Sequence, residues 1–194
     1  GTLLDRLTMV GLEVDKVTNR AQGLETFVVG HVVDTLKHPN ADKLKVCKVN
    51  TGTGIFQVVC GAPNACTGMK GVFAAEGSFI TGTGLKLKKT TIRDVESCGM
   101  LLSEREMGLS DEHEGIVELP DDATIGASAI DIMGLSDPII EIAVTPNRGD
   151  CLGVRGIARD LAAAGLGTLK TLDTSPIPGA FKSPRNVLFN FSEK

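Results

Sequence analysis

The sequence predicts a mainly β fold, in which a small closed barrel or sandwich is flanked by helical segments. Short runs rich in Val, Ile and Thr alternate with turn clusters between about residues 25 and 131. Within this region, Val29–Lys48 has the pattern of a strand, a turn and a second strand. Pro39 makes the turn at His38–Asp42 stiff, because it lacks an amide donor and biases His38 toward an extended backbone. Amphipathic helical patterns occur near the two ends of the chain.

The first predicted element is a helix. Leu3, Leu7 and Val10 recur at helical spacing, and Gly11 is placed to end the helix. The apolar run Leu12–Val17 is a candidate strand. Because the helical pattern starts almost at the first residue without an N-cap, we expect the chain to be a piece of a longer protein.

The middle of the chain contains several short apolar runs that are bounded by turn residues. The candidate strands are Val29–Val33, Leu44–Cys47, Ile55–Cys60, Val72–Ala75, Leu85–Lys88 and Gly115–Leu119. Two Thr-Gly-Thr-Gly runs, at Thr51–Gly54 and Thr81–Gly84, lie between strands and do not open a helix, so they indicate hairpin turns and not phosphate loops. Five or so short strands over about a hundred residues fit an OB-type barrel.

Charge is distributed unevenly along the chain. The net charge is −4, yet His31–Arg93 contains eight lysines and one arginine against three acidic residues, a balance of +6. The next segment, Asp94–Gly134, contains eleven acidic residues against Arg105 alone, a balance of −10. This pattern indicates a module with one cationic and one anionic face, or else an ordinary solvated surface.

The cysteine pattern argues against disulfides and zinc. The five cysteines are odd in number and have no C-x-x-C spacing, so we expect reduced, mostly buried thiols and a cytoplasmic location. The three histidines are scattered, and we predict no metal site. We find no apolar run of membrane-spanning length and no leader pattern.

After Met133 the pattern changes again. Ile139–Val144 has the composition of a buried strand, Pro146–Gly149 is a turn, and Asp150 is a candidate N-cap. An amphipathic stripe over residues 154–162 predicts a helix that ends near Gly165. Residues 173–194 have the composition of a linker.

Several of these stretches resemble the EMAP-type tRNA-binding domain, which is an OB fold. The segments that carry the resemblance are Val29–Lys48, Cys60–Asn64, Lys86–Arg93 and Ser97–Ser103. The flanks, Leu7–Asp15, Val144–Gly153 and Gly156–Leu161, are similar to the N-terminal part of the bacterial phenylalanyl-tRNA synthetase β-subunit family.

The resemblance implies an OB barrel, residues 25–134, inserted into a small split α+β domain formed by residues 1–24 and 135–194. It implies that Leu12–Val17 and Ile139–Val144 pair where the barrel is inserted. It also implies a non-catalytic, tRNA-binding module of an enzyme that charges tRNA with phenylalanine, using ATP and Mg²⁺, as an α2β2 heterotetramer. In the family, the synthetic site is on the α subunit, so we expect neither catalytic residues nor a cofactor in this chain.

The proposed chemistry is neutralisation of tRNA phosphates by basic side chains, with recognition of RNA shape. The residues that we expect to contact tRNA are Asn40, Lys43, Lys45, Lys48, Lys86, Lys88, Lys89, Arg93, Ser97 and Met100. For Asn40, Ser97 and Met100, a turn, a turn hydroxyl and a core side chain are the competing interpretations. The phenylalanines of the strand region, Phe27, Phe56, Phe73 and Phe79, fit core packing better than base stacking.

Two other functions remain open. The module could serve only to dock the β subunit onto the rest of the heterotetramer, with little RNA affinity. It could also be a free EMAP-type tRNA-binding protein. An enzymatic function is disfavoured, because no nucleophile lies beside a base at a recognisable spacing.

Overall fold

The computed structural model describes residues 3–181 together with Arg185 and Leu188. Its helices are α1 (Leu3–Met9), α2 (Glu104–Met107), α3 (Ala129–Ile132) and α4 (Val154–Ala163), and a 3₁₀ helix (Pro146–Cys151) precedes α4. Its strands are β1 (Glu13–Thr18), β2 (Val28–Lys37), β3 (Lys45–Asn50), β4 (Ile55–Cys60), β5 (Lys70–Ala75), β6 (Phe79–Ile80), β7 (Leu85–Lys86), β8 (Thr90–Ile92), β9 (Val95–Ser97), β10 (Gly99–Leu101), β11 (Glu118–Leu119) and β12 (Ile139–Ala143).

Five antiparallel strands form a nearly closed barrel. They are hydrogen-bonded in the order β10, β5, β2, β3, β4, and β11 adds to β5. The gap between the two ends of this order is bridged, because Cys98 N donates to Gln57 O at 2.8 Å and Val59 N donates to the Ser97 hydroxyl at 3.1 Å. A five-stranded, partly open antiparallel barrel is the OB architecture, so the predicted fold class is confirmed.

The central strands of the barrel pack against buried apolar side chains on both of their faces. Val32, Val49 and Phe73 belong to one buried cluster, and Phe27 and Val29 belong to a second. Phe27 is completely buried and Phe73 is 2% exposed, and full burial of such a side chain contributes about 1.5–3 kcal/mol. Along β3, Cys47 and Val49 are buried in the first cluster and Lys48 between them is exposed, because successive side chains of a strand point to opposite faces.

The predicted pairing of the two flanking runs is confirmed, since β1 and β12 form a two-stranded sheet of their own. The expectation that Ile139–Val144 is buried is wrong. Ile139 is 49% exposed, and no residue of β12 is fully buried, because this two-stranded sheet is not part of the barrel.

The chain divides into two compact units. The larger is Val14–Ile142 and contains the barrel, and the smaller comprises Gly1–Glu13 and Ala143–Lys194. The predicted domain limits, 1–24 with 135–194 and 25–134, stay a prediction.

The predicted end of α1 is confirmed. Gly11 has φ 81°, its N–H donates to Thr8 O at 3.0 Å, and Leu12 N donates to Leu7 O at 2.9 Å. This is the Schellman arrangement, with buried Leu7 and Leu12 at its two apolar positions.

The short helix α2 lies between β10 and β11 and ends at Gly108. Ser103 and Glu106 form a capping box at its start, and Gly108 has φ 72° at its end. The Thr81–Gly84 run connects β6 and β7 as predicted. A Cβ on Gly82 would overlap the carbonyl group of Arg105, so this turn requires glycine where it meets α2.

The predicted start of the last helix is wrong. Asp150 lies inside the 3₁₀ helix, and α4 begins after Gly153, which makes no side-chain cap. Residues 173–181 form neither helix nor strand, and most of the rest of the predicted linker lies outside the described residues. Within the described part of the chain, no helix has the length and apolar character needed to cross a membrane.

Candidate nucleic-acid interface

Two turns of the barrel unit meet side by side. One is the segment that connects β2 to β3, and the other is the Arg93–Asp94 turn between β8 and β9. His38 Nε2 lies 3.0 Å from the carbonyl oxygen of Ile92. The Asn40 amide Nδ2 donates to the carbonyl oxygen of Arg93 at 3.1 Å and to the Asp94 carboxylate at 3.2 Å. Three acceptors of the second turn are thus bound by two side chains of the first.

The hydrogen bonds of His38 define its tautomer. The backbone N–H of Asn40 donates to Nδ1 at 3.0 Å, so Nδ1 carries no proton. The ring proton is therefore on Nε2, which donates to Ile92 O. His38 is 2% exposed, so both ring nitrogens are satisfied inside the protein.

The turn that receives these bonds has an uncommon backbone. Arg93 has φ 47° and Asp94 has φ 69°. Among the described residues other than glycine, these two are the ones with a positive φ. Two consecutive left-handed residues between paired strands are the geometry of a type I′ hairpin turn, which favours Asn-Gly. Arg and Asp adopt it here while bound by His38 and Asn40.

The seven basic residues that we predicted to bind tRNA form two groups. Within the described residues, the side chains of Lys43, Lys86, Lys88 and Arg93 are exposed and make no hydrogen bond or ion pair. Three other lysines are engaged. Lys48 lies 3.7 Å from Asp34, Lys89 lies 2.8 Å from Glu96, and Lys45 binds backbone carbonyl groups.

Lys45 is the most strongly engaged of these lysines. Its ammonium donates to Pro63 O at 2.9 Å and to Ala65 O at 2.7 Å. Lys45 shares the side of β3 that carries buried Cys47 and Val49, whereas Val46 and Lys48 point the other way. The lysine at this position therefore fastens the loop after β4 to the rim of the barrel.

Ser97 is buried, whereas Met100 is only half-buried. Ser97 is 3% exposed, and its hydroxyl accepts from Val59 N at 3.1 Å and donates to Gly99 O at 3.2 Å. Met100 is half-buried against the core and lines an open cavity of about 520 Å³ with Arg105 and His113.

The phenylalanines follow the core interpretation in three positions and depart from it in one. Phe27 and Phe73 are buried, and the half-buried ring of Phe56 lies 5.4 Å from that of Phe73. Phe79 is 54% exposed.

Acidic groups also lie among the basic ones. The Asp94 carboxylate belongs to the turn that carries Arg93, and the ammonium of Lys89 hydrogen-bonds Glu96 and lowers the pKa of that carboxyl. The cationic surface is therefore confined to the unpaired side chains and does not cover the whole +6 segment.

Residues 27–128, which are 102 of the 194 residues, match the family model described as "Putative tRNA binding domain". The chain belongs to this tRNA-binding domain family. Both turns and all ten predicted contact residues lie within the matched range.

Relatives of known name match nearly all of the chain. It is 56% identical over 186 residues to the phenylalanine–tRNA ligase beta subunit of Paramagnetospirillum magneticum, covering 96% of this chain and 23% of that protein. It is 52% identical over 185 residues to the same subunit of Rhodospirillum rubrum, covering 95% and 23%. The chain thus spans about a quarter of the length of these relatives.

Among solved structures, the MetRS related protein from Pyrococcus horikoshii matches 52% of this chain and 85% of its own, with 24% identity and a TM-score of 0.39. The C-terminal domain of Plasmodium vivax p43 matches 52% and 56%, with 24% identity and a TM-score of 0.38.

Three thiols of the tRNA-binding domain have a raised pKa. Burial raises the pKa of the Cys47 thiol to about 11 and also raises that of the Cys60 thiol. The pKa of the Cys98 thiol is raised by desolvation and by its hydrogen bond to Glu96. All five cysteines are free, as the sequence predicted. Protonated thiols are weak nucleophiles and poor metal ligands.

The smaller unit contains a second cluster of charges, which the sequence did not reveal. The Arg148 side chain donates to Val10 O at 3.1 Å, to the Cys151 thiol at 2.8 Å and to the carboxylates of Asp150 and Asp160. Arg159 pairs with the same two carboxylates.

This arrangement is an ion-pair cluster rather than an open metal site. Ligand atoms of Asp150, Cys151 and Asp160 lie within 4.8 Å of one another, but both carboxylates are bound by arginines. Hydrogen bonds from Arg159 and Arg148 lower the pKa of Asp150 to about 2, and desolvation raises that of the Cys151 thiol. A cation would have to displace two guanidinium groups.

Proposed function

We propose that this chain is a non-catalytic tRNA-binding module of the β subunit of phenylalanine–tRNA ligase. The observation that carries the proposal is the set of unpaired basic side chains, Lys43, Lys86, Lys88 and Arg93, on a barrel that belongs to a tRNA-binding domain family. The 56% identity to a phenylalanine–tRNA ligase beta subunit supports the choice of parent protein.

Binding by these residues is electrostatic. Each unpaired cation neutralises one phosphate and releases condensed counterions, so the affinity falls as salt rises. Because Phe27 and Phe73 are buried, the domain offers few stacking platforms, and contacts to the backbone of folded RNA are the better match.

The proposal extends to the parent complex. This complex is an α2β2 heterotetramer, in which the β subunit assembles with an α subunit. It charges tRNA with phenylalanine in the cytoplasm, using ATP and Mg²⁺. Within the β subunit, residues 25–134 act as the tRNA-binding domain and the flanking residues 1–24 and 135–194 form the split domain that carries it.

The test is tRNA binding by the chain at about 50 and 200 mM salt. If the four unpaired cations each contact one phosphate, the affinity falls by about a hundredfold over this range. An unstructured RNA of equal length is expected to bind more weakly, because the contacts read the shape of folded RNA. Absence of binding at the lower salt would contradict the proposal.

A matched pair of triple variants tests whether unpaired cations are the contacts. The salt slope is the steepness with which the logarithm of the affinity falls with the logarithm of the salt concentration. Changing Lys43, Lys86 and Lys88 together to alanine is expected to lower this slope by about 3. Removing Lys16, Lys37 and Lys89, each of which is ion-paired, changes the net charge equally and is expected to have a smaller effect. Equal effects would mean that net charge alone determines affinity.

A second function is favoured by a different observation. Lys45, Lys48 and Lys89 are engaged inside the chain, which suits a structural module that docks the β subunit onto the rest of the enzyme. In that case both triple variants leave tRNA affinity unchanged, and subunit assembly becomes the property to measure.

A further inference from the structure

We propose that His38 and Asn40 are positioning residues that hold the Arg93–Asp94 turn against the turn between β2 and β3, so that Arg93 and Lys43 bind one stretch of tRNA backbone. This inference rests on the proposed function and deepens it. It gives Asn40 a role through Arg93 in place of a direct contact with RNA.

The first step of the argument is that the Asn40 side chain is already engaged. Its amide nitrogen donates to Arg93 O at 3.1 Å and to the Asp94 carboxylate at 3.2 Å. An amide nitrogen has two hydrogens, so these two bonds use its full donor capacity. An RNA phosphate needs a donor, and Asn40 has none left to offer.

The second step is that the turn needs this support. Arg93 and Asp94 both have positive φ, a conformation that side chains with a Cβ disfavour and that persists where surrounding contacts maintain it. His38 and Asn40 supply those contacts at Ile92 O, Arg93 O and the Asp94 carboxylate.

The third step is that the turn presents an unpaired cation. The carbonyl oxygen of Arg93 is bound by Asn40, whereas its guanidinium is exposed and makes no hydrogen bond among the described residues. Lys43, on the other turn, is also exposed and has no partner within residues 3–181. The hydrogen bonds between the turns thus join two cations that are fifty residues apart in the sequence.

The test uses the salt dependence of tRNA binding, because asparagine carries no charge. If Asn40 acts through Arg93, N40A lowers the salt slope by about 1, as R93A does. The double variant then has a salt slope no lower than that of R93A. If Asn40 itself contacts RNA, N40A weakens binding without changing the slope, and the proposal is wrong. Asn40 is the residue to change because it is exposed, whereas buried His38 contributes to folding.

A suppressor variant gives an independent outcome. Glycine at position 94 makes the left-handed turn favourable by itself, so N40A in a D94G background is expected to bind within about twofold of D94G alone. Failure of D94G to rescue N40A would overturn the proposal. The matched control is N50A, because Asn50 caps the turn at the other end of β3 and donates nothing to the Arg93 turn.

The two proposals fail differently. If the unmodified chain binds no tRNA, the proposed function fails, and the positioning role fails with it. If the chain binds tRNA with the expected salt slope but N40A keeps that slope, only the positioning role fails. Hydrogen exchange of the amides of residues 92–95 shows whether N40A loosens the turn.

Discussion

Arg93 and Arg148 are both arginines, but they differ in whether the guanidinium group is bound inside the protein. Arg93 lies in a turn whose backbone is held by Asn40, and its guanidinium makes no hydrogen bond or ion pair within the part of the chain that the structure describes. The guanidinium of Arg148 donates hydrogen bonds to Val10 O, to the Cys151 thiol and to two carboxylates. A basic residue therefore marks a binding surface only when its charge is not already satisfied inside the protein.

Removing Arg148 should have the largest effect on folding. R148A leaves Asp150 and Asp160 with only Arg159 and leaves Val10 O without its donor, so we expect the largest fall in the thermal unfolding midpoint among these variants. Hydrogen exchange over Val154–Ala163 should rise. The control is R155A, which removes an exposed arginine of α4 that has no hydrogen bond or ion pair among the described residues. Similar losses in both variants would mean that the cluster adds little.

Lys45 and Lys43 provide the same contrast within the tRNA-binding domain. K45A leaves the carbonyl groups of Pro63 and Ala65 without their charged donor, and we expect it to lower the free energy of unfolding by about 1–3 kcal/mol. K43A should change it by less than about 0.5 kcal/mol, because that side chain is exposed and unpaired. Chemical denaturation measures both. Equal stability of the two variants would refute the internal role of Lys45.

The neighbours Lys88 and Lys89 show the same contrast in tRNA binding. K88A should lower the salt slope of tRNA binding by about 1, because it removes an unpaired cation. K89A should lower it less, since Glu96 already compensates Lys89 at 2.8 Å. A larger effect of K89A would show that tRNA displaces this ion pair.

The smallest expected effect is a pH dependence of the smaller unit. The pKa of Asp150 in the folded protein is about 2, against an ordinary value of 3.8, so the charged form is favoured by folding. Its stabilising effect is complete above the ordinary value and is lost as the pH falls from about 4 toward 2. D150N should flatten the curve of unfolding midpoint against pH in that window. An unchanged slope would assign the acid sensitivity to other groups, such as Asp160.

Local patterns predicted the parts of the fold that depend on neighbours in sequence. The limits of β4 agree with the predicted strand Ile55–Cys60, and Gly11 ends α1 as expected. These features follow from side-chain alternation, left-handed glycines and capping residues, which act over a few positions. The helix start at Asp150 was mispredicted because its carboxylate is taken by Arg148 and Arg159 instead of by a helix terminus.

The candidate site was only partly predictable. The list of basic residues came from composition and from the family resemblance, and it included Lys45 and Ser97 without a way to separate them from Lys43. Lys45 meets its partners 18 and 20 residues away, and Ser97 meets Val59 N 38 residues away. No periodicity encodes such distances.

The β-rich class, the turn positions, the opposite charges of two adjacent segments and the tRNA-binding family could all be predicted from the amino-acid sequence. Which cations are unpaired, and which side chains hold them in place, depends on the folded structure. Asn40 reaches Arg93 across 53 positions, and Arg148 reaches Val10 across 138. The physical reason is that a hydrogen bond or ion pair depends on distances of about 3 Å, and those arise only after strands and turns remote in sequence have packed together.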